Sequence, residues 1–233
     1  MENLQKAYEN TINSWQKGQE EITDNLREIL NRGFWLCLGN PKGGILLSGI
    51  NPSYDKKEKA EYCSFKKCSG RYWNRWKNNL QEYIAQDVVG YIDLFPLRVT
   101  KQTAEFERHV PLELKAEILR VTQKEIEDLC PKLIIHSNKT STFYYGTEPE
   151  HPWMGYDLER LEIVDELKDK GCELYRISGL LESKDRINYH SIKETSIAGS
   201  FLFTCPMQNR RYMKAEEKLD ERDIVNLCKQ LNI

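Results

Sequence analysis

An alternation between two kinds of segment constrains this chain most. "VVGYIDLF" (88–95) is apolar and rich in β-branched residues, "LELKAEILRVTQKEIEDL" (112–129) repeats its apolar residues at helical spacing, and "KLIIHS" (132–137) is apolar again. Short continuous apolar runs are strands buried on both faces, and a long amphipathic helix between two of them is the connection that lays them parallel. The pattern extends in both directions. "FWLCL" (34–38) and "ILLSG" (45–49) read as strands around a Gly-Pro turn, and residues 72–85 read as a helix. "KTSTFYYG" reads as a short helix, 157–171 as a longer one, "CELYRIS" and "FLFTC" as strands, and 215–231 as a closing helix. The sum is an α/β fold in three layers, a mostly parallel central sheet flanked by helices.

Residues 1–33 stand ahead of this alternation. Leu4, Tyr8, Ile12, Trp15, Ile22, Leu26 and Ile29 recur at helical spacings with a break near Gly18, which predicts an extra N-terminal helical region. No repeat, low-complexity stretch or long linker divides the chain, so a single domain over 1–233 is expected. The segment 146–156, "GTEPEHPWMGY", reads as an exposed loop.

A chain of 233 residues buries enough core to fold without staples. Its seven cysteines are odd in number and contain no C-x2-C pair, which argues against a disulfide framework and against a zinc site. A reduced, cytoplasmic protein without metal or cofactor is expected. No apolar segment is long enough to span a bilayer, so no membrane partner is expected, and a monomer is the simplest assembly. The net charge of −2 gives no global sign of a nucleic-acid partner. Locally the balance differs: Lys56 to Lys77 holds eight basic residues against Glu58 and Glu61, and Arg210, Arg211 and Lys214 form a second cluster.

In open α/β sheets ligands bind outside the carboxyl ends of the strands. Four loops stand there: "GINPSYD" after 45–49, "DLFPLR" after 88–92, "HSNKT" after 132–135, and "CPMQNRR" after 201–204. The first of them, "GINPS" (49–53), resembles the opening motif of the uracil-DNA glycosylase superfamily, in particular the Gly-Ile-Asn-Pro-Gly of its mismatch-specific (G:T/U) branch. "CSF" (63–65) and "RYWNRWK" (71–77) occupy the places of that branch's aromatic-bearing loop and its Arg-Phe-Trp-Lys helix start, and "CPMQNRR" (205–211) is similar in position to its last motif. The resemblance spans roughly 34–214.

What the resemblance implies is hydrolysis of the N-glycosidic bond of uracil or another altered base, flipped out of single- or double-stranded DNA into a pocket at the strand ends. Asn51 takes the position that orients the attacking water, although the residue type alone equally suits an Asx-turn before Pro52. Gly49, Ile50, Pro52, Ser53, Tyr54, Phe65, Asp93, Cys205, Met207 and Asn209 form the implied base pocket. Within it Gly49 lets the backbone approach the base, and Phe65 stacks on it. Lys66, Lys67, Arg71, Arg75, Arg210 and Arg211 are the implied backbone contacts. Ser53, Cys205 and Met207 depart from the branch's Gly, Asn and Ser. Two other readings stay open: a catalytically inactive nucleic-acid-binding relative of the same fold, and a nucleotide or small-molecule binding protein or interaction module.

Overall fold

The computed structural model describes residues 2–39, 41–56, 62–100, 102–148, 153–182, 192–208, 213–214 and 216–233. Two N-terminal helices, α1 (Glu2–Lys17) and α2 (Asp24–Asn31), precede strands β1 (Leu36–Leu38), β2 (Ile45–Gly49) and β3 (Tyr62–Ser64). There follow a 3-10 turn (Phe65–Lys67), α3 (Arg71–Asn79), α4 (Gln81–Ala85), β4 (Val89–Asp93), α5 (Gln102–His109), α6 (Leu112–Leu129) and β5 (Leu133–His136). A second 3-10 segment (Lys139–Tyr144), β6 (Tyr156–Leu161), α7 (Asp165–Asp169), β7 (Glu173–Leu180), β8 (Phe201–Thr204) and α8 (Glu221–Gln230) complete the order.

Six strands form one sheet in the order β4-β2-β5-β8-β7-β6. The pairings β4–β2, β2–β5 and β5–β8 are parallel, whereas β8–β7 and β7–β6 are antiparallel. The sheet alternates its side chains between two apolar layers. Leu46, Ile92, Ile134 and Leu202 pack with α1, α2, α5 and α6, while Ile45, Leu47, Tyr91, Ile135 and Phe203 pack with α3, α7 and α8. This is a three-layer α/β architecture, and the central strands β2 and β5 are buried along their whole length.

The N-terminal helices are part of the core. Leu4, Tyr8 and Ile12 of α1 lie at 5% exposure or less, and the Tyr8 hydroxyl donates to Thr122 Oγ1 (2.8 Å), which donates in turn to the carbonyl of Leu94 (2.7 Å). One hydroxyl chain thus ties α1 to α6 and to the end of β4.

Several expectations need correction. Residues 156–161 form a strand where 157–171 was expected to be helical: Leu, Glu and Arg favour helix, but pairing with β7 across a bulge at Asp157/Leu158 overrides that propensity. Helix remains only at Asp165–Asp169. The 34–38 segment is strand only over Leu36–Leu38, which pairs in parallel with Tyr62–Ser64 as a separate two-stranded sheet. The 72–85 helix divides at Leu80, and the last helix begins only at Glu221, where Asp220 and Asp223 form a capping box. Of the 146–156 loop, Met154 and Tyr156 are buried, held by bonds from their amides to the carbonyls of Tyr144 and Tyr145.

Candidate functional site

The carboxyl ends of β4, β2, β5 and β8 carry Asp93, Gly49, His136 and Thr204. Register places Gly49 beside Asp93, Ser48 beside His136, and His136 beside Thr204. Beyond Gly49 the chain does not turn away from β4. Leu94 N and Phe95 N donate to the carbonyls of Gly49 and Ile50 (3.0 and 2.9 Å), Val99 N donates to Pro52, and Tyr54 N donates to Val99. Residues 49–54 are therefore an extension of the sheet zipped onto 94–99, with Asn51 buried within it at 2% exposure.

Asp93 is the most unusual group here. It is 7% exposed, accepts a hydrogen bond from the Tyr91 hydroxyl (2.7 Å), and burial pushes its carboxyl up to about 7 against the lowering effect of that bond. At neutral pH such a group exchanges its proton readily, as a general base or acid must. Tyr72 packs edge-on to Tyr91, with ring centres 6.4 Å apart. Its phenol is raised chiefly by burial and then by the field of Asp93. Around them lie Trp73, whose ring is 4.6 Å from that of Tyr91, and Phe65, 5.9 Å from Trp73. Phe65, Tyr91 and Cys205 thus belong to one aromatic and apolar layer.

The implied pocket residues divide accordingly. Gly49 does not present an open face: a Cβ there would stand 2.4 Å from both Asp93 Oδ1 and the Tyr91 hydroxyl, so this carboxyl–phenol pair fills the space assigned to a base. Gly49→Ala is expected to dislodge the pair and cost about 1–3 kcal/mol, read as a lowered denaturant midpoint. Ile50 packs into the α1/α6 layer. Pro52 is half-buried and Ser53 exposed, the latter bridged to Val99. The ring of Tyr54 is covered by the guanidinium groups of Arg32 (4.5 Å) and Arg98 (5.2 Å), a use that competes with base stacking. Arg32 is itself clamped by Glu105, with contacts of 3.1 and 2.9 Å.

Phe65 is 1% exposed, so its ring is a core wall. Cys205 is fully buried, its amide donating to the His136 carbonyl (3.0 Å) and its thiol raised well above the ordinary value by burial. A neutral thiol is a weak donor. Gln208 is committed elsewhere, donating to the Pro206 carbonyl and accepting from Leu219 N, both at 2.8 Å; Met207 is half-buried. Asn209, Arg210 and Arg211 lie outside the described residues.

The basic segment is partly absorbed. Lys66 pairs with Asp87 (2.6 Å), and Arg75 reaches the Leu219 carbonyl (3.5 Å). Lys67 and Arg71 face solvent. Among the described residues, no group of His, Cys, Asp and Glu is arranged to hold a metal, and no helix is long and apolar enough to cross a membrane.

His136 faces the opposite layer from Asp93. The Tyr145 hydroxyl donates to Ser48 Oγ (2.7 Å), Ser48 to His136 Nδ1 (3.2 Å), His136 Nε2–H to Ser141 Oγ (2.8 Å), and Ser141 to the Asn138 carbonyl (3.1 Å). Because Ser141 donates to the Asn138 carbonyl, Nε2 carries a ring proton. Burial lowers the pKa of the ring to about 3, opposed by the Asn138 carbonyl. The chain is a closed structural network with both ring nitrogens occupied.

Sequence reasoning did not single out Tyr91 or Ser48. The available signals were polar atoms inside otherwise apolar strands: Ser48 interrupts "ILLSG", and Tyr91 lies two residues before Asp93 and so shares its face. No protein-family model matches the chain, and no curated protein matches it in sequence.

Proposed function

We propose that this chain is a uracil-DNA glycosylase-like hydrolase that releases uracil or another altered base from DNA. The observation that carries the proposal is Asp93: a buried carboxyl with a pKa of about 7, placed by register beside Gly49 at the head of the Gly-Ile-Asn-Pro-Ser segment. In the ionised state Asp93 takes a proton from a water that the Asn51 amide orients. The water oxygen attacks the anomeric carbon, the N-glycosidic bond breaks, and the base departs with the bonding electrons. The three-layer sheet and the GINPS segment at its central strand end support a glycosylase-like fold, and the exposed Lys67 and Arg71 suit phosphate contacts in DNA.

The test is release of free base from oligonucleotides containing uracil, thymine opposite guanine, or hypoxanthine, in single and double strands. Asn51→Ala is expected to lower the rate by about 100-fold or more if water positioning is its role. No release from any substrate overturns the enzymatic reading.

A second reading is favoured by one specific feature, the Tyr91–Asp93 pair that fills the space over Gly49. A relative with this plug would bind nucleic acid without acting on it. DNA binding that weakens steeply with added salt, with no base release by the unmodified protein, selects that reading.

A further inference from the structure

Cys37 and Cys68 sit with their sulfur atoms 3.1 Å apart. Both are buried, at 3% and 6% exposure, and they come from different elements: Cys37 is the middle residue of β1, whereas Cys68 caps the 3-10 turn that carries Phe65. The β1–β3 ladder and that turn hold them together across a separation of 31 residues. We propose that Cys37 and Cys68 are a reversible oxidation site, a dithiol that hydrogen peroxide converts to a disulfide.

Geometry assigns the order of events. Cys68 directly precedes the exposed residues Ser69 and Gly70, whereas Cys37 lies in the middle of β1, so Cys68 meets the oxidant first. Its turn is cationic: Lys77 Nζ donates to the carbonyls of Lys66 and Cys68, and Lys66 and Lys67 are exposed beside it. The Cys68 sulfur attacks one peroxide oxygen, the O–O bond breaks, and the departing hydroxide leaves as water with the thiol proton, giving a sulfenic acid. The Cys37 sulfur then attacks Cys68, the S–S bond forms, the S–O bond breaks, and the hydroxyl leaves as a second water with the Cys37 proton. Two thiols are oxidised and one peroxide is reduced to two waters.

The loop this bond closes contains β2, the whole GINPSY segment and Phe65. Oxidation therefore tethers the end of the aromatic turn that carries Phe65 to β1. That consequence stands whether or not the segment supports base release.

Peptide mapping of the full-length protein after treatment with hydrogen peroxide and alkylation tests the proposal. A Cys37–Cys68 cross-linked peptide is expected, lighter than the sum of its parts by two hydrogen atoms and lost on reduction with dithiothreitol. The oxidised chain should also melt at a higher temperature than the reduced one, and dithiothreitol should abolish the difference. Cys63 is the control, because its backbone is registered with Cys37 across β1–β3: Cys63→Ser should leave the cross-link intact, and Cys68→Ser should remove it. A cross-link through Cys63, or Cys68 oxidised beyond the sulfenic state with Cys37 still alkylated, overturns the proposal. The map of the unmodified protein decides the matter even if a variant fails to fold.

Discussion

Asp93→Asn is expected to abolish base release and, in the same variant, to stabilise the fold at alkaline pH. The two effects have one cause. The carboxyl has a folded pKa of about 7 against a reference of 3.8, because burial disfavours its charged form. A group whose folded pKa is raised contributes stability that is complete below its unfolded pKa and is lost as pH rises through the folded one. Asp93 therefore costs the fold progressively between about pH 4 and pH 7. At about 1.4 kcal/mol per pKa unit the loss by pH 8 is on the order of 4 kcal/mol. Asparagine keeps an oxygen to accept from the Tyr91 hydroxyl and removes the charge, so its melting temperature at pH 8 should exceed that of the parent. With the expected ΔΔG, the rise is roughly 2–4 °C for each kcal/mol recovered. Thermal melts from pH 5 to pH 8 and base-release assays on the same preparations check both halves. Undiminished base release would remove Asp93 from the chemistry, and an unchanged pH dependence of melting would remove it from the titration. Activity in the parent should correspondingly rise with pH through about 7, as the carboxylate form accumulates.

How far sequence carried the fold depended on whether local and tertiary preferences agreed. β2, β4, β5 and α6 were legible because buried strands and an amphipathic helix write their environment into every residue. β6 was not, because "YDLERLE" has the composition of a helix and only the partner strand β7 decides otherwise. β3 was invisible for a related reason: three residues pairing with β1 leave too short a pattern to distinguish from a loop. For the site, the loops at the strand ends could be named from the sequence, and Asn51 and Asp93 with them. What each side chain meets across the sheet could not. The phenol of Tyr91 over Gly49, the two arginines on Tyr54 and the commitment of Gln208 to Leu219 are facts of register and packing between segments distant in the chain. A glycine in a motif signals close approach by something, and only the fold says that here it is the chain itself.

His136→Leu provides the complementary experiment and a large loss of stability. Leucine fills much of the volume but removes the acceptor for Ser48 and the donor to Ser141 inside a fully buried network, which should cost about 2–4 kcal/mol at neutral pH. Its pH signature separates it from an ordinary packing defect. Because the imidazole is held neutral, with a folded pKa of about 3 against 6.5, it contributes stability that is complete above about 6.5 and is lost as pH falls toward 3. That slope opposes the one from Asp93 over the window between about 4 and 6.5, at roughly 1.4 kcal/mol per pH unit each, so the two nearly cancel in the parent. Removing either partner exposes the other. Stability of His136→Leu should rise as pH falls from 7 to 4, and that of Asp93→Asn should fall over the same range, both measured by denaturant unfolding. Parallel curves for the two variants would show that neither buried group carries the proton assigned to it. Opposite slopes would establish that the carboxyl ends of β4 and β5 hold, on opposite faces of one sheet, an acid kept protonated and an imidazole kept neutral by the same burial.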